Sequence, residues 1–180
     1  MKPGVRAVFL DRDGVLVRAP VVDGKPRSIH RVQDLELEDG ARDACVALSD
    51  AGFLLVVVTN QPDVARGTLS RGTVDEMHAR LAELLALDEI RVCPHDDADD
   101  CACRKPKPGM LLDAARDHGI ELERSFVIGD RWRDIGAGRS AGCACVLLDR
   151  EYSEPMPVPP DVTVRSLGEA VAWILARSGP

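Results

Sequence analysis

The chain has 180 residues, 45% of them hydrophobic and 29% charged, with 30 Asp and Glu against 23 Lys and Arg. A chain of this size buries roughly 70% of its unfolded surface, so one real core is affordable, and the composition excludes a disordered, collagenous or membrane-embedded protein. The net charge of -7 gives no overall attraction to phosphate backbones or anionic lipids, so neither a nucleic acid nor a membrane is an expected partner.

The elements follow in chain order. Residues 5–10 form a short apolar run that stops at Asp11-Arg12-Asp13-Gly14, as a buried strand entering a turn does. The start, Met1-Lys2-Pro3-Gly4, runs straight into that strand without a signal-cleavage pattern, and a cytoplasmic location is expected. Residues 18–38 are polar and irregular and suit a loop over an active site. A helical pattern spans 40–51, with Ala44, Ala47 and Leu48 on one face, and the second strand is predicted at 53–58. Val74, Met77, Leu81, Leu84 and Leu85 mark a helix over 70–87, followed by a third strand at 90–93. A helix over 108–118, a strand at 125–128, a short helix after Arg131 and a strand at 143–148 complete the alternation. Residues 151–160 carry Pro155, Pro157, Pro159 and Pro160 and read as an extended connector before a last helix over 167–177.

Strands that are apolar nearly throughout, alternating with helices, imply a parallel sheet covered on both faces. The expected fold is therefore a Rossmann-like, three-layer α/β/α single domain over 1–180, a monomer with no separate cap domain. Ligands in such folds sit beyond the carboxyl ends of the strands.

Carboxylates gather at those ends. Asp11 and Asp13, two residues apart on extended chain, share a side while Arg12 points elsewhere, and Gly14 permits a sharp turn. Such a pair can act as nucleophile and as general acid and base, with a cation screening their repulsion, although a solvated turn needs the same residues. Asp130 and Asp134 follow the strand at 125–128, where Asp130 can approach the first pair. Three converging carboxylates suit Mg2+, whereas a helix cap and an exposed first-turn acid would account for Asp130 and Asp134 singly. Thr59-Asn60-Gln61 ends the second strand with a hydroxyl and backbone N–H groups able to hold phosphate oxygens, and Arg104-Lys105-Pro106-Lys107 is a basic segment whose prolines fix its path.

The six cysteines divide into two populations. Cys45, Cys143 and Cys145 lie in apolar stretches and are expected core residues. Cys93, His95, Cys101 and Cys103 offer three thiolates and one imidazole, a closed tetrahedral set of the kind that holds structural Zn2+. A disulfide with spare thiols, or unliganded cysteines, are the alternatives. The acids of 96–100 are expected to be solvated, His78 and His118 to be surface or packing residues, and Trp132 to pack. His30, in the long loop, is a candidate for substrate contact.

Asp11-Arg12-Asp13-Gly14, Thr59-Asn60-Gln61, Lys105 and Gly129-Asp130-x3-Asp134 resemble, in that order, the four motifs of haloacid-dehalogenase-type (HAD) phosphatases. The insert Cys93-Pro94-His95-x5-Cys101-Ala102-Cys103-Arg104-Lys105-Pro106, with Ala65-Arg66-Gly67 and Pro108-Gly109-Met110, is similar to the D-glycero-D-manno-heptose-1,7-bisphosphate 7-phosphatase family, whose close relative is the histidinol-phosphate phosphatase family. The resemblance implies a Mg2+-dependent phosphomonoesterase with Asp11 as nucleophile and Asp13 as general acid and base. It implies Mg2+ on Asp11, the Asp13 carbonyl and Asp130, with Asp134 orienting that shell. Thr59 and Lys105 would stabilise the phosphoryl group, and Asn60, Gln61, Arg104 and Arg131 would contact a small phosphorylated substrate. Zn2+ on the cysteine cluster would fix the loop that delivers Arg104 and Lys105. Where the family usually continues Ser-Gly after Asn60-Gln61, Pro62-Asp63 adds a negative charge and removes a donor. A nucleic-acid 3'-phosphatase would share the Asp-x-Asp chemistry but needs a basic groove, and a zinc-bound interaction module would not need Asp11.

Overall fold

The computed structural model describes residues 4–179, so the Met1-Lys2-Pro3 start lies outside the described residues. In chain order the elements are β1 (Ala7–Leu10), a hairpin of β2 (Val21–Val22) and β3 (Lys25–Pro26), α1 (Ala41–Asp50), β4 (Leu54–Asn60), α2 (Arg71–Leu84), β5 (Glu89–Cys93), α3 (Gly109–His118), β6 (Phe126–Gly129), α4 (Trp132–Ala141), β7 (Ala144–Leu148), β8 (Val162–Val164) and α5 (Leu167–Arg177). Six strands form one parallel sheet in the order β5-β4-β1-β6-β7-β8. The chain leaves β1 in one direction towards β4 and returns to its other side at β6, so strand order reverses between β1 and β6. That crevice is where open α/β sheets bind ligands.

Successive side chains of each strand point to opposite faces, and both faces are covered. Val8, Leu10, Leu55 and Val57 join a core with Ala44 and Leu48 of α1, Met77 and Leu81 of α2 and Ile174 of α5. Ala7, Phe9, Val56 and Val58 join a second core on the other face with Leu111 and Ala114 of α3 and Ile135 of α4. Each buried Leu, Ile or Phe contributes about 1.5–3 kcal/mol, which is why the near-continuous apolar runs could only be central strands. Cys45, Cys143 and Cys145 are buried in these cores, and burial pushes their thiols up to about 11, about 12 and about 12. No helix among the described residues is long and apolar enough to cross a membrane.

Two departures from the sequence reading have physical causes. Val162-Thr163-Val164, too short to show an alternation, becomes β8 because β7 offers it a free edge, with Val146 opposite Val162. The irregular stretch 18–38 contains the β2–β3 hairpin, turned at Asp23 and Gly24 with φ of 52° and 69°. Positive φ at both central residues is the two-residue hairpin turn that Asp-Gly favours, a signal the sequence carried. The short helix expected after Arg131 is α4, ten residues long, whose Ile135 and Ala137 join the second core.

Candidate active site

β1 ends at Leu10 and delivers Asp11 into the crevice, where its backbone N–H donates to the Ile128 carbonyl of β6 at 3.0 Å. Asp130 comes from the end of β6, and Asp134 from the first turn of α4, both buried. Carboxylate oxygens of Asp11, Asp130 and Asp134 all lie within 4.8 Å of one another. Gly14 makes the approach possible: at φ 83° a Cβ there would stand 2.0 Å from Asp130 Oδ2. Asp134 is neither exposed nor a plain first-turn acid, since it is 2% exposed and its Oδ2 accepts from the Arg131 N–H at 3.0 Å.

Lys105 reaches into this cluster. Its Nζ donates to Asp11 Oδ1 at 2.8 Å, Asp134 Oδ1 at 2.6 Å and the Val58 carbonyl at 2.7 Å, which uses all three ammonium protons. Burial works against the ammonium, but the charges of Asp11 and Asp134 prevail and hold it above the ordinary lysine range. Burial, with the charges of Asp134 and Asp13, raises Asp11 to about 6 against the pull of Lys105. Asp130 is raised well above its usual range by burial first and then by Asp11 and Asp134. The Tyr152 hydroxyl approaches Asp130, yet neither carboxylate oxygen of Asp130 makes a hydrogen bond. Three buried carboxyl groups share one ammonium, and Asp130 keeps both oxygens orphaned, a donor set that a hard divalent cation fits.

Asp13 lies beside this cluster in a frame of its own. Arg12 does not point elsewhere: it is fully buried and curls back onto Asp13, Nε to Oδ1 at 3.0 Å and Nη2 to Oδ2 at 2.9 Å. The β1 extended geometry ends at Leu10, so the alternation that would have separated Arg12 from Asp13 no longer applies. Arg12 Nη1 donates to Nε2 of His78, which is 8% exposed on α2. Gln61 also departs from expectation. It is fully buried, and its Nε2 donates to Asp13 Oδ2 and to Thr59 Oγ1, each at 2.9 Å, so it frames the site instead of facing a substrate. Because Thr59 Oγ1 accepts from Gln61, its own proton is free for the cavity. Asn60 lines the cavity, but its amide pairs reciprocally with the Lys105 backbone at 3.0 and 3.1 Å, splinting the segment that carries the ammonium.

His78 has a pH consequence. Burial, then the Arg12 charge, lowers its pKa to about 4, so the folded protein keeps it neutral while the unfolded chain protonates it near 6.5. A base with a depressed folded pKa stabilises less as pH falls through that window. Urea midpoints of wild type and His78→Gln should therefore converge or cross between pH 7 and pH 5, wild type losing about 2 kcal/mol more than the variant. A pH-independent difference would refute the assignment.

The four candidate zinc ligands meet as anticipated. Cys93 Sγ lies 3.5 Å from Cys101 Sγ and 3.6 Å from His95 Nδ1, and Cys103 Sγ lies 3.4 Å from both. All six cysteines are free, so a disulfide does not explain the cluster. A tetrahedron with Zn–S bonds of ~2.3 Å has edges of about 3.8 Å, and the observed separations fit such an ion with slight relaxation. The acids of the same loop are solvated as expected, Asp97 and Asp100 being 59% and 88% exposed, and they also hold cations. Asp97 accepts from Arg104 at 2.7 Å and from Arg133 at 3.0 Å, chiefly the Arg104 bond lowering its pKa. Asp96 holds Arg66 at 2.6 Å, and Asp100 pairs with Lys107.

A cavity of about 270 Å³ opens over Asp11, Asp13, Thr59 and Lys105. Its rim carries Arg66, Arg104, Arg131 and Arg133, each ion-paired: Arg131 to Glu154 and the others to Asp63, Asp96 or Asp97. Asp63, whose charge looked unfavourable here, is countered by Arg66 at 3.3 Å and hydrogen-bonded to His30 Nε2 at 2.9 Å, so His30 acts on Asp63. The β2–β3 hairpin completes the rim with Lys25 and Arg27, which among the described residues have no acidic partner. Trp132 stacks under the Arg133 guanidinium at 4.7 Å, and His118 pairs with Glu89 on the surface.

A HAD-hydrolase-like family model matches residues 102–170. The D-glycero-D-manno-heptose-1,7-bisphosphate 7-phosphatase of Thermosynechococcus vestitus is 36% identical over 97% of this chain and 97% of its own. The D-glycero-beta-D-manno-heptose-1,7-bisphosphate 7-phosphatase of Photorhabdus laumondii subsp. laumondii is 37% identical over 83% of each. Among solved structures, the D,D-heptose 1,7-bisphosphate phosphatase from B. bronchiseptica complexed with magnesium and phosphate superposes with a TM-score of 0.80 at 31% identity, covering 96% of this chain and 99% of that one.

Proposed function

The chain belongs to the D-glycero-D-manno-heptose-1,7-bisphosphate 7-phosphatase family of HAD-like hydrolases, and from that membership and the site's geometry we propose that it removes the 7-phosphate of D-glycero-D-manno-heptose 1,7-bisphosphate in the cytoplasm. The observation that carries the reading is the meeting of Asp11, Asp130, Asp134 and Lys105 at the β1–β6 crevice, with both Asp130 oxygens unpartnered.

Asp11 attacks phosphorus, the bond from phosphorus to the sugar oxygen breaks, and Asp13 donates a proton to the departing oxygen. Water then attacks the aspartyl-phosphate, Asp13 takes its proton, and free phosphate leaves with the Asp11 carboxylate restored. Lys105 and the Thr59 hydroxyl stabilise charge on the phosphoryl oxygens, a demand set by one of the slowest uncatalysed reactions. Asp11, Asp130 and the Asp13 carbonyl would hold Mg2+, which when bound supplies positive charge at the phosphoryl group, while Asp134 orients Lys105. Arg104 and Arg131 contact the substrate. A second anionic group on the substrate is favoured by Lys25 and Arg27, which face the cavity without acidic partners among the described residues.

Side-by-side kinetics with Mg2+ on both anomers of heptose 1,7-bisphosphate and on histidinol phosphate test this reading. One phosphate should be released per bisphosphate, with kcat/KM at least about tenfold above histidinol phosphate, an interval worth ~1.4 kcal/mol. Preference for histidinol phosphate would overturn the substrate.

Cys93, His95, Cys101 and Cys103 would hold Zn2+, which when bound would fix the loop that supplies Asp97 to Arg104 and Arg133. Purified protein should contain about one zinc per chain, and Cys101→Ala should lose it, with Tm falling roughly 6–12 °C if the site contributes about 3 kcal/mol. A zinc-free preparation that is folded and fully active would sink the structural role.

A further inference from the structure

The frame around Asp13 is more elaborate than a surface acid needs. Arg12 is fully buried, and its guanidinium is the largest polar group enclosed in the protein. Replacing a buried ion pair with apolar residues is commonly neutral or stabilising, so stability alone gives no reason to place one here. The guanidinium spends two donors on the Asp13 carboxylate and one on His78 Nε2, which must accept because arginine cannot. His78 is in turn anchored by its helix, where neighbouring Met77 and Leu81 are buried in the core against β1 and β4. Gln61 closes the other side, and its orientation is settled by Asp13 and Thr59, since only the amide nitrogen can donate to both.

The count of lone pairs then distinguishes the two oxygens of Asp13. A carboxylate offers about two acceptor directions per oxygen. Oδ2 receives Arg12 Nη2 at 2.9 Å and Gln61 Nε2 at 2.9 Å, which saturates it. Oδ1 receives only Arg12 Nε at 3.0 Å and keeps one direction open.

We infer that Arg12 and His78 are positioning residues that, with Gln61, hold the Asp13 carboxylate so that Oδ1 alone carries the transferred proton. His78 acts through Arg12 and touches no substrate. The inference rests on the proposal that Asp13 is the general acid and base, and the two can be separated by leaving-group chemistry. A sugar alkoxide must be protonated as it departs, whereas 2,4-dinitrophenolate leaves without a proton. Loss of a correctly aimed acid therefore lowers kcat/KM on the sugar phosphate far more than on 2,4-dinitrophenyl phosphate, while a general structural defect lowers both alike.

His78→Leu removes the acceptor, and the ratio of kcat/KM for sugar phosphate to that for 2,4-dinitrophenyl phosphate should fall roughly 10–100-fold, within the range of general acid catalysis. His78→Gln, which restores an acceptor to Arg12, should recover most of that ratio. Arg12→Lys keeps the charge but not the two-point clamp, and should reproduce the fall if His78→Leu does not fold. Asp13→Asn serves as the reference for complete loss of the acid. A ratio that falls for Asp13→Asn but stays at the wild-type value for His78→Leu and Arg12→Lys overturns the support and leaves the acid assignment standing. An unselective Asp13→Asn overturns the acid assignment, and the inference with it.

Discussion

Asp11→Asn is expected to lower turnover of heptose 1,7-bisphosphate by roughly 10⁴-fold or more, because it removes the proposed nucleophile on which the covalent intermediate would form. The same substitution should leave the metal-free fold at least as stable as wild type at pH 7. Burial and two neighbouring carboxylates raise Asp11 to about 6, well above its unfolded value of 3.8, so ionisation at neutral pH is a cost to the folded state. A group with a raised folded pKa costs most above that pKa, and wild type should regain ground on the variant as pH falls from 7 towards 4. The amide also keeps the volume and leaves Lys105 its bond to Asp134 at 2.6 Å. Steady-state kinetics and urea midpoints on one preparation check both halves. Appreciable turnover in a folded variant would refute the nucleophile, and a strongly destabilised variant would show that Asp11 holds the fold rather than acting in it.

Lys105→Met should fail in both respects. Lys105 is 2% exposed and supplies the single ammonium among Asp11, Asp130 and Asp134, so its removal leaves buried carboxylates without a counter-charge. Breaking one side of a buried ion pair costs about 3–5 kcal/mol, equivalent to a fall in Tm of roughly 6–20 °C for a domain of this size. Any folded fraction should lose about 10²–10³ in kcat, the usual effect of deleting one preorganised charge donor at a transition state. Mg2+ should restore part of the stability, because added positive charge answers the same deficit, and should restore none of the phosphoryl contact. Differential scanning fluorimetry with and without Mg2+, beside kcat, measures both. Unchanged stability in the metal-free variant would mean that the three acids are not ionised together.

Much of this site could be read before the fold was known. Asp11, Thr59, Lys105 and Asp130 each follow an apolar run or a proline-fixed segment, and a parallel sheet brings strand ends to one edge. The meeting of Cys93, His95, Cys101 and Cys103 was equally plain, because three thiols and an imidazole within eleven residues have few other uses. What could not be read was the behaviour of residues whose partners are remote in the chain. Arg12 and His78 are 66 residues apart, and the pattern of either alone suggested an arginine turned away from Asp13 and a surface or packing histidine. Gln61 looked like a substrate contact because it stands beside Thr59 and Asn60, yet burial against Asp13 directs it inward. The acids of 96–100 are largely exposed, as an acidic run usually is, but which cations they hold could not be read: the loop lays Asp96 and Asp97 against the arginines of the rim.

The sequence by itself determined the parallel α/β architecture, the grouping of three thiols with one imidazole and the identity of the chemical groups, since apolar periodicity and ligand type are local properties of the chain. Tertiary structure alone decided which of those groups are neutralised and which are left wanting. Arg66, Arg104, Arg131 and Arg133 are already paired, Lys25 and Arg27 face the cavity without acidic partners among the described residues, and Asp130 keeps both oxygens unsatisfied. The reason is physical: a charge acquires its effect from burial and from neighbours within a few ångströms, and neither exists until the sheet has brought distant segments together.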